Sequence, residues 1–198
     1  MTGKIRRWLW VDLETTGLGY EMSRPQNYRE DVILEVAAII TDAHLNEISV
    51  FGPFPVRTSK ADLRRMDDFV RNMHTETGLL EQVDSPAAQP LPAIDQAMAT
   101  WMGDHGLDNR VTLAGSSVKF DFEFLRRHMP GVFSRLGYRV IDVSTFKEAL
   151  RDWHPQVVAD IEANKASSHK AMEDIRASLH ELRTYRQALG LADQGAAA

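Results

Sequence analysis

Cysteine is absent from the 198 residues, which excludes disulfides, thiolate metal ligands and cysteine nucleophiles. No apolar run approaches the ~20 residues of a membrane-spanning helix, and mean hydropathy is −0.31. The first residues also lack the apolar stretch of a secretory signal. A cytoplasmic chain with no membrane partner is expected. Positive charge is scarce, with 23 Lys and Arg against 28 Asp and Glu, a formal −5. A basic stripe of the kind that grips long nucleic acid is therefore missing. Only Lys4, Arg6 and Arg7 gather, as a small basic arm within residues 1–7. Repeats, heptads and low-complexity blocks are also missing, apart from a Gly-Ala-Ala-Ala tail. One domain over residues 8–189, followed by a disordered tail at 190–198, is the expected organisation.

What is present reads as alternating short strands and helices. Trp8 to Leu13, Val32 to Thr41 and Glu47 to Val56 are apolar or β-branched runs that predict three strands. The third is broken by Gly52 and two prolines. Apolar spacing predicts helices over Ser59–Met73, with Ser59 and Asp62 as its start, and over Ala93–Met102, Phe122–Met129 and His169–Leu189. Val143, Phe146, Leu150 and Trp153 give helical spacing as well. Strands are predicted at Val111–Ala114 and Arg139–Asp142, and a proline-rich connection at Ser85–Pro92. Three strands followed by alternating helices and strands describe a mixed-sheet α/β domain.

The carboxylates are placed unusually. Asp12 and Glu14 close the first apolar run, and residues two apart on a strand share a face. Two carboxylates there need something to offset their desolvation, and a hard cation does so; a solvated strand end is the plainer alternative. Asp121 stands at the mouth of a helix after a Gly-Ser-Ser turn, where it can serve the helix dipole or act as a further ligand. Asp174 lies one turn after Lys170, so a surface ion pair is its ordinary reading. His169 precedes Asp174 by five residues, about 140° away on a helical wheel. His169 is therefore expected to hang from the helix start, after Ser167 and Ser168, toward the side that Asp174 faces.

In order and approximate spacing, Asp12-x-Glu14, Asp121 and His169-x-x-x-x-Asp174 resemble the DEDDh 3′–5′ exonucleases. The segments Trp10 to Leu18, Ile40-Thr-Asp-Ala, Met66-Asp-Asp-Phe69, His74 to Leu79, Tyr138 to Thr145 and His169 to Arg176 resemble the oligoribonuclease branch. The resemblance implies a ribonuclease H-like mixed five-stranded sheet flanked by helices. It implies two Mg²⁺ or Mn²⁺ ions per site, held by Asp12, Glu14, Asp121 and Asp174, with His169 as general base. The implied reaction is 3′–5′ hydrolysis of very short single-stranded RNA, from dinucleotides upward, to 5′-mononucleotides. DNA or longer single strands are the alternative substrates, and a binding module without catalysis is a third reading. The implied substrate contacts are Ser117, Arg139, Ser144 and His74 to the 5′ phosphate, and Leu18 and Phe69 to the bases. Phe69 and Ser144 have plainer readings too, as a core residue and a helix cap. Tyr138 is implied to reach across a homodimer interface.

The chain departs from that pattern in three places. The loop Gly19–Asp31, carrying Tyr20, Arg24, Tyr28 and Arg29, is longer than usual. Gly115-Ser-Ser replaces Gly-Asn-Ser, and Phe120 stands where a polar residue is usual. The charge agrees with short substrates: two divalent ions offset most of the −5, and a strand tracker needs the basic stripe this chain lacks.

Overall fold

The computed structural model describes residues 6–19, 30–164 and 169–191. Lys4, Tyr20, Arg24, Tyr28, Arg29, Ser167, Ser168 and the tail beyond 191 lie outside them.

Five strands form one sheet: β1 (Arg7–Thr15), β2 (Ile33–Asp42), β3 (Glu47–Pro55), β4 (Val111–Gly115) and β5 (Leu136–Asp142), in the order β3-β2-β1-β4-β5. β1–β2 and β2–β3 are antiparallel hairpin neighbours, whereas β1–β4 and β4–β5 are parallel. This is the mixed sheet expected from the sequence. β1 and β2 read as unbroken apolar runs because helices cover both faces of the central sheet. Leu9, Val11 and Leu13 point to one face, into a cluster with Met98 of α4 (Leu91–Asp104), Leu125 of α5 (Lys119–His128) and Val132 of a short helix at Pro130–Phe133. Trp10 points to the other face, with Ala37 and Ile39 of β2, against Ile175, Leu179 and Leu182 of the last helix, Ala171–Ala188. Asp12 and Glu14 continue the Trp10 face, so they are directed toward the start of that last helix.

Several predicted elements are redrawn. Ser59–Met73 is two helices, α1 (Lys60–Leu63) and α2 (Asp68–Glu76). Each has its own cap: Ser59 accepts the Asp62 N–H at 3.1 Å, and Asp67 accepts the Val70 N–H at 2.9 Å. A second capping aspartate inside an apolar pattern restarts the helix. α3 (Leu79–Val83) was not foreseen; Gly78, at φ +78°, turns the chain into it, and Leu79 and Val83 are buried one turn apart. Pro92 belongs to the first turn of α4 rather than to a connection, as a helix start allows. The short helix α6 (Pro130–Phe133) was also missed. Its free amides at Gly131 and Val132 are satisfied by the Asp95 carboxylate at 2.9 and 2.8 Å. Beyond β5 run α7 (Val143–Trp153), α8 (Pro155–Asn164) and α9 (Ala171–Ala188). α8 escaped notice, and only Val143 and Leu150 of the predicted α7 stripe are buried. Leu189 lies past the end of α9 and is exposed rather than core. No helix among the described residues is long and apolar enough to cross a membrane.

Candidate active site

β1 supplies two of the carboxylates. Asp12 lies opposite Ala37 and Glu14 opposite Glu35 in the antiparallel register with β2. A shift in register between Glu14 and Thr15 then ends the regular pairing. α9 supplies the third: Asp174 sits in its first turn and donates its N–H to the Lys170 carbonyl at 3.0 Å. One carboxylate oxygen from each of Asp12, Glu14 and Asp174 lies within 4.8 Å of the others. Lys170 pairs with Glu173, at 3.5 Å. His169 lies before α9 with φ +48°, outside the helix as its spacing required.

Asp121, in the first turn of α5, is buried and its Oδ1 accepts the Leu13 N–H at 3.1 Å. It stands outside the tight trio yet lines the same cavity. That cavity, of about 220 Å³, is bounded by Asp12, Leu13, Glu14, Leu18, Ser116, Ser117, Phe120, Asp121, His169 and Asp174. All five residues expected to carry chemistry therefore meet at the carboxyl ends of β1 and β4.

Among the described residues, no Lys or Arg lines this cavity, and its acidic groups press on one another. Burial, then the neighbouring charges of Asp174 and Glu35, push the Asp12 carboxyl up to about 7. Burial, followed by repulsion from Asp12, Asp174 and Glu35, pushes Glu14 up to about 8. Asp121 is raised well above the usual carboxylate range, chiefly by burial and next by Asp12. Groups so crowded hold protons near neutrality unless a cation replaces them. Hard oxygen donors converging on one point fit a divalent ion such as Mg²⁺ or Mn²⁺.

The expected substrate contacts divide into groups. Leu18, 61% exposed, and Ser117 line the cavity. Ser144 is joined to Ser117 through Asp142, whose Oδ1 accepts the Ser117 N–H at 2.9 Å, the Ser144 N–H at 2.9 Å and the Ser144 hydroxyl at 2.6 Å. The cap of α7 is thus Asp142, not Ser144. Arg139 is exposed on β5, its guanidinium 5.0 Å from the Tyr138 ring centre. Tyr138 is 81% exposed and lies, like Arg139, away from the cavity lining. Phe69 is 75% exposed at the start of α2, so it is not core.

His74 is a correction. It has no exposed surface, and a phosphate contact needs an accessible donor. Its Nε2 lies 2.8 Å from the Thr15 carbonyl, which only accepts, so Nε2 carries the hydrogen. Nδ1 lies 3.9 Å from Glu14 Oε2 and has no hydrogen-bond partner among the described residues. Burial lowers the imidazole pKa, which keeps that nitrogen unprotonated. The ring braces the end of β1 from behind rather than facing the cavity.

Sequence reasoning missed three supporting carboxylates. Besides Asp142, Asp31 holds the turn after β1: it accepts the Thr16 hydroxyl at 3.0 Å and the Gly19 N–H at 3.0 Å. Gly19 itself sits at φ +77°, with the Phe124 ring 3.0 Å from where a Cβ would stand, so only glycine fits the turn. Glu35 is the third, buried in β2 inside a run that otherwise reads as core. The lone acidic residue in that run was the available signal. The basic arm is elsewhere: Arg6 and Arg7 border a separate cavity with His105 and Arg110 at the other end of β1.

Similarity to known proteins agrees with this geometry. The exonuclease family described as RNase_T matches residues 9–182. An oligoribonuclease of Corynebacterium glutamicum is 38% identical over 189 residues, covering 96% of this chain and 82% of its own. The oligoribonuclease of Vibrio cholerae is 36% identical over 181 residues, covering 91% and 94%. Among solved structures, one titled for how exonuclease I achieves processivity has a TM-score of 0.65 at 18% identity. It covers 92% of this chain but only 41% of the exonuclease I chain, so the shared part is the fold of this domain alone.

Proposed function

The chain belongs to the RNase_T exonuclease family and within it to the oligoribonucleases, and from that premise we propose a 3′–5′ exoribonuclease acting on very short RNA. The substrates are single-stranded, from dinucleotides upward, and the products are 5′-mononucleotides. The observation that carries the reading is the convergence of Asp12, Glu14 and Asp174 within 4.8 Å, in one cavity with Asp121 and His169.

Asp12, Glu14, Asp121 and Asp174 are the residues to hold two Mg²⁺ or Mn²⁺ ions. When bound, such ions supply an activated water and stabilise charge on the scissile phosphate. His169, set outside the helix by its backbone, accepts the proton of the attacking water. His74 stands behind Glu14, its Nδ1 3.9 Å from Oε2, and limits its freedom to swing away. Leu18 and Phe69 offer apolar surface to the bases, where contact is tolerant of sequence and worth ~1–3 kcal/mol per stacked base. Ser117 and Ser144, locked to one another through Asp142, and Arg139 on the adjoining strand are the candidate holders of a terminal phosphate. Arg suits that task because its fork is bidentate and permanently charged. The exonuclease domain is assigned to residues 8–189, in a cytoplasmic homodimer with Tyr138 at the interface.

The deciding experiment is a length series of 5′-labelled RNA and DNA with Mn²⁺. Dinucleotides are expected to be cut fastest, RNA ahead of DNA. Equal rates on a dimer and a 20-mer overturn the short-substrate assignment and favour an exonuclease of DNA or longer strands.

A further inference from the structure

Glu35 is a buried acid without a role in the chemistry above. In the antiparallel register it lies directly opposite Glu14, on the same face of the sheet, where like charges repel. It also faces Pro53 on β3, His169 and Lys170 across a cavity of about 190 Å³. A strand that spends a core position on a second carboxylate beside an already crowded one needs a compensating contact. The contact is specific: Glu35 Oε2 accepts the N–H of Ala171, at 3.2 Å. Ala171 is the first residue of α9, and its amide is one of those no helical carbonyl can reach. Lys170, the residue before it, makes no side-chain cap of its own.

We propose that Glu35 is a positioning residue that clamps the first amide of α9 and thereby fixes His169 and Asp174 against Asp12 and Glu14. His169 lies two residues before the clamped amide, and its φ of +48° is a conformation that non-glycine residues hold only under constraint. Asp174 lies three residues after it, in the first turn. One hydrogen bond from β2 therefore bears on both site residues at the start of α9, while β1 sets Asp12 and Glu14 and α5 sets Asp121. Glu35 stands outside the carboxylate trio, so it acts through the helix start rather than as another ligand.

The clamp rests on the function proposed above, and two variants with two readouts separate them. Glu35→Ala removes the acceptor; Glu35→Gln keeps a carbonyl acceptor of the same length without the charge. Glu35→Ala is expected to lower kcat on a dinucleotide at least tenfold while KM stays within threefold. The Ala171 amide, followed by hydrogen exchange in NMR, should exchange at least tenfold faster in that variant. Glu35→Gln is expected to restore kcat to within threefold of the parent and to leave the exchange unchanged. Unchanged exchange in Glu35→Ala, or a Gln variant as impaired as the Ala variant, overturns the clamp. Should Glu35→Ala not fold, a tenfold loss of kcat in Glu35→Gln overturns it alone. A parent protein that cleaves no dinucleotide overturns the proposed function instead, and the exchange measurement still decides the role of Glu35.

Discussion

Neutralising Asp12, one of the proposed metal-holding carboxylates, should make the metal-free protein more stable, not less. Asp12 ionises near 7 instead of its ordinary 3.8, mainly because burial penalises its charge and next because Asp174 and Glu35 repel it. A folded-state value raised above the unfolded one means stability is fully present below the ordinary value. It drains away as pH rises through the folded one. At about 1.4 kcal/mol per pH unit, the drain reaches about 4 kcal/mol by pH 7 and then levels. Water entering the open cavity raises the effective dielectric and trims this to roughly 1–3 kcal/mol. Asp12→Asn cannot ionise, so in EDTA its advantage over the parent should grow from pH 4 to pH 7. A domain of this size gains about 2–4 °C in Tm per kcal/mol, which puts the rise at about 2–12 °C at pH 8. Saturating Mn²⁺ should reverse the order, since an ion at a hundred times its Kd adds about 2.7 kcal/mol to the parent alone. Scanning fluorimetry at pH 5 and pH 8, with EDTA or Mn²⁺, reads all four corners. A variant that is less stable than the parent in EDTA at pH 8 refutes the reasoning, as does an advantage that does not grow with pH.

Three further outcomes follow from the same geometry. Asp121→Asn and Asp174→Asn should each remove nearly all phosphodiester hydrolysis while circular dichroism stays native; more than a tenth of the parent rate sinks their assignment. Activity should fall as pH drops below about 7–8, where Asp12 and Glu14 take up protons, and raising Mn²⁺ should move the acidic midpoint downward. A midpoint insensitive to Mn²⁺ would show that proton and metal do not compete. Asp142→Ala removes the acceptor shared by the Ser117 and Ser144 amides at a cost of about 0.5–1.5 kcal/mol per bond; KM for a 5′-phosphorylated dinucleotide should rise more than kcat falls. Steady-state kinetics on 5′-phosphorylated and 5′-hydroxyl dinucleotides would expose the opposite pattern.

The strands of the sheet and the five acidic or imidazole groups were legible because each rests on local pattern. A Trp-Leu-rich run ending in Asp-x-Glu reads as a buried strand with its carboxylates on one face, whatever surrounds it. His169 was likewise placed outside its helix by counting residues to Asp174. The misreadings share a different physics. His74 and Glu35 are buried polar residues whose meaning lies in a partner far along the chain, Thr15 for one and Ala171 for the other. Periodicity carries no information about such pairings. The split of Ser59–Met73 shows the reverse case, where Asp67 overrides an apolar stripe by capping a new start. Short helices such as α3 and α6 were missed because four or five residues hold too few turns for a period to show.

Charge placement connects the fold to the order of events at the site. Arg6 and Arg7 sit at the start of β1, and five residues at about 3.3 Å each put Arg7 about 17 Å from Asp12. Among the described residues, the cavity that holds the carboxylates has no Lys or Arg in its lining, so these carboxylates repel a phosphate while Asp12 and Glu14 are ionised. Protonation removes that repulsion, but it also removes the donors a divalent ion needs. A site built this way admits its anionic substrate with the metals already in place. In the proposed function, its hold on the scissile phosphate is borrowed from the ions, and Arg139, outside the cavity lining, is left for the terminal phosphate. That is why a chain of net charge −5 can act on nucleic acid, and why it suits short pieces. On the proposed function, two ions and a terminal-phosphate contact suffice for a few nucleotides, whereas a long backbone would find no Lys or Arg among the described cavity walls to follow.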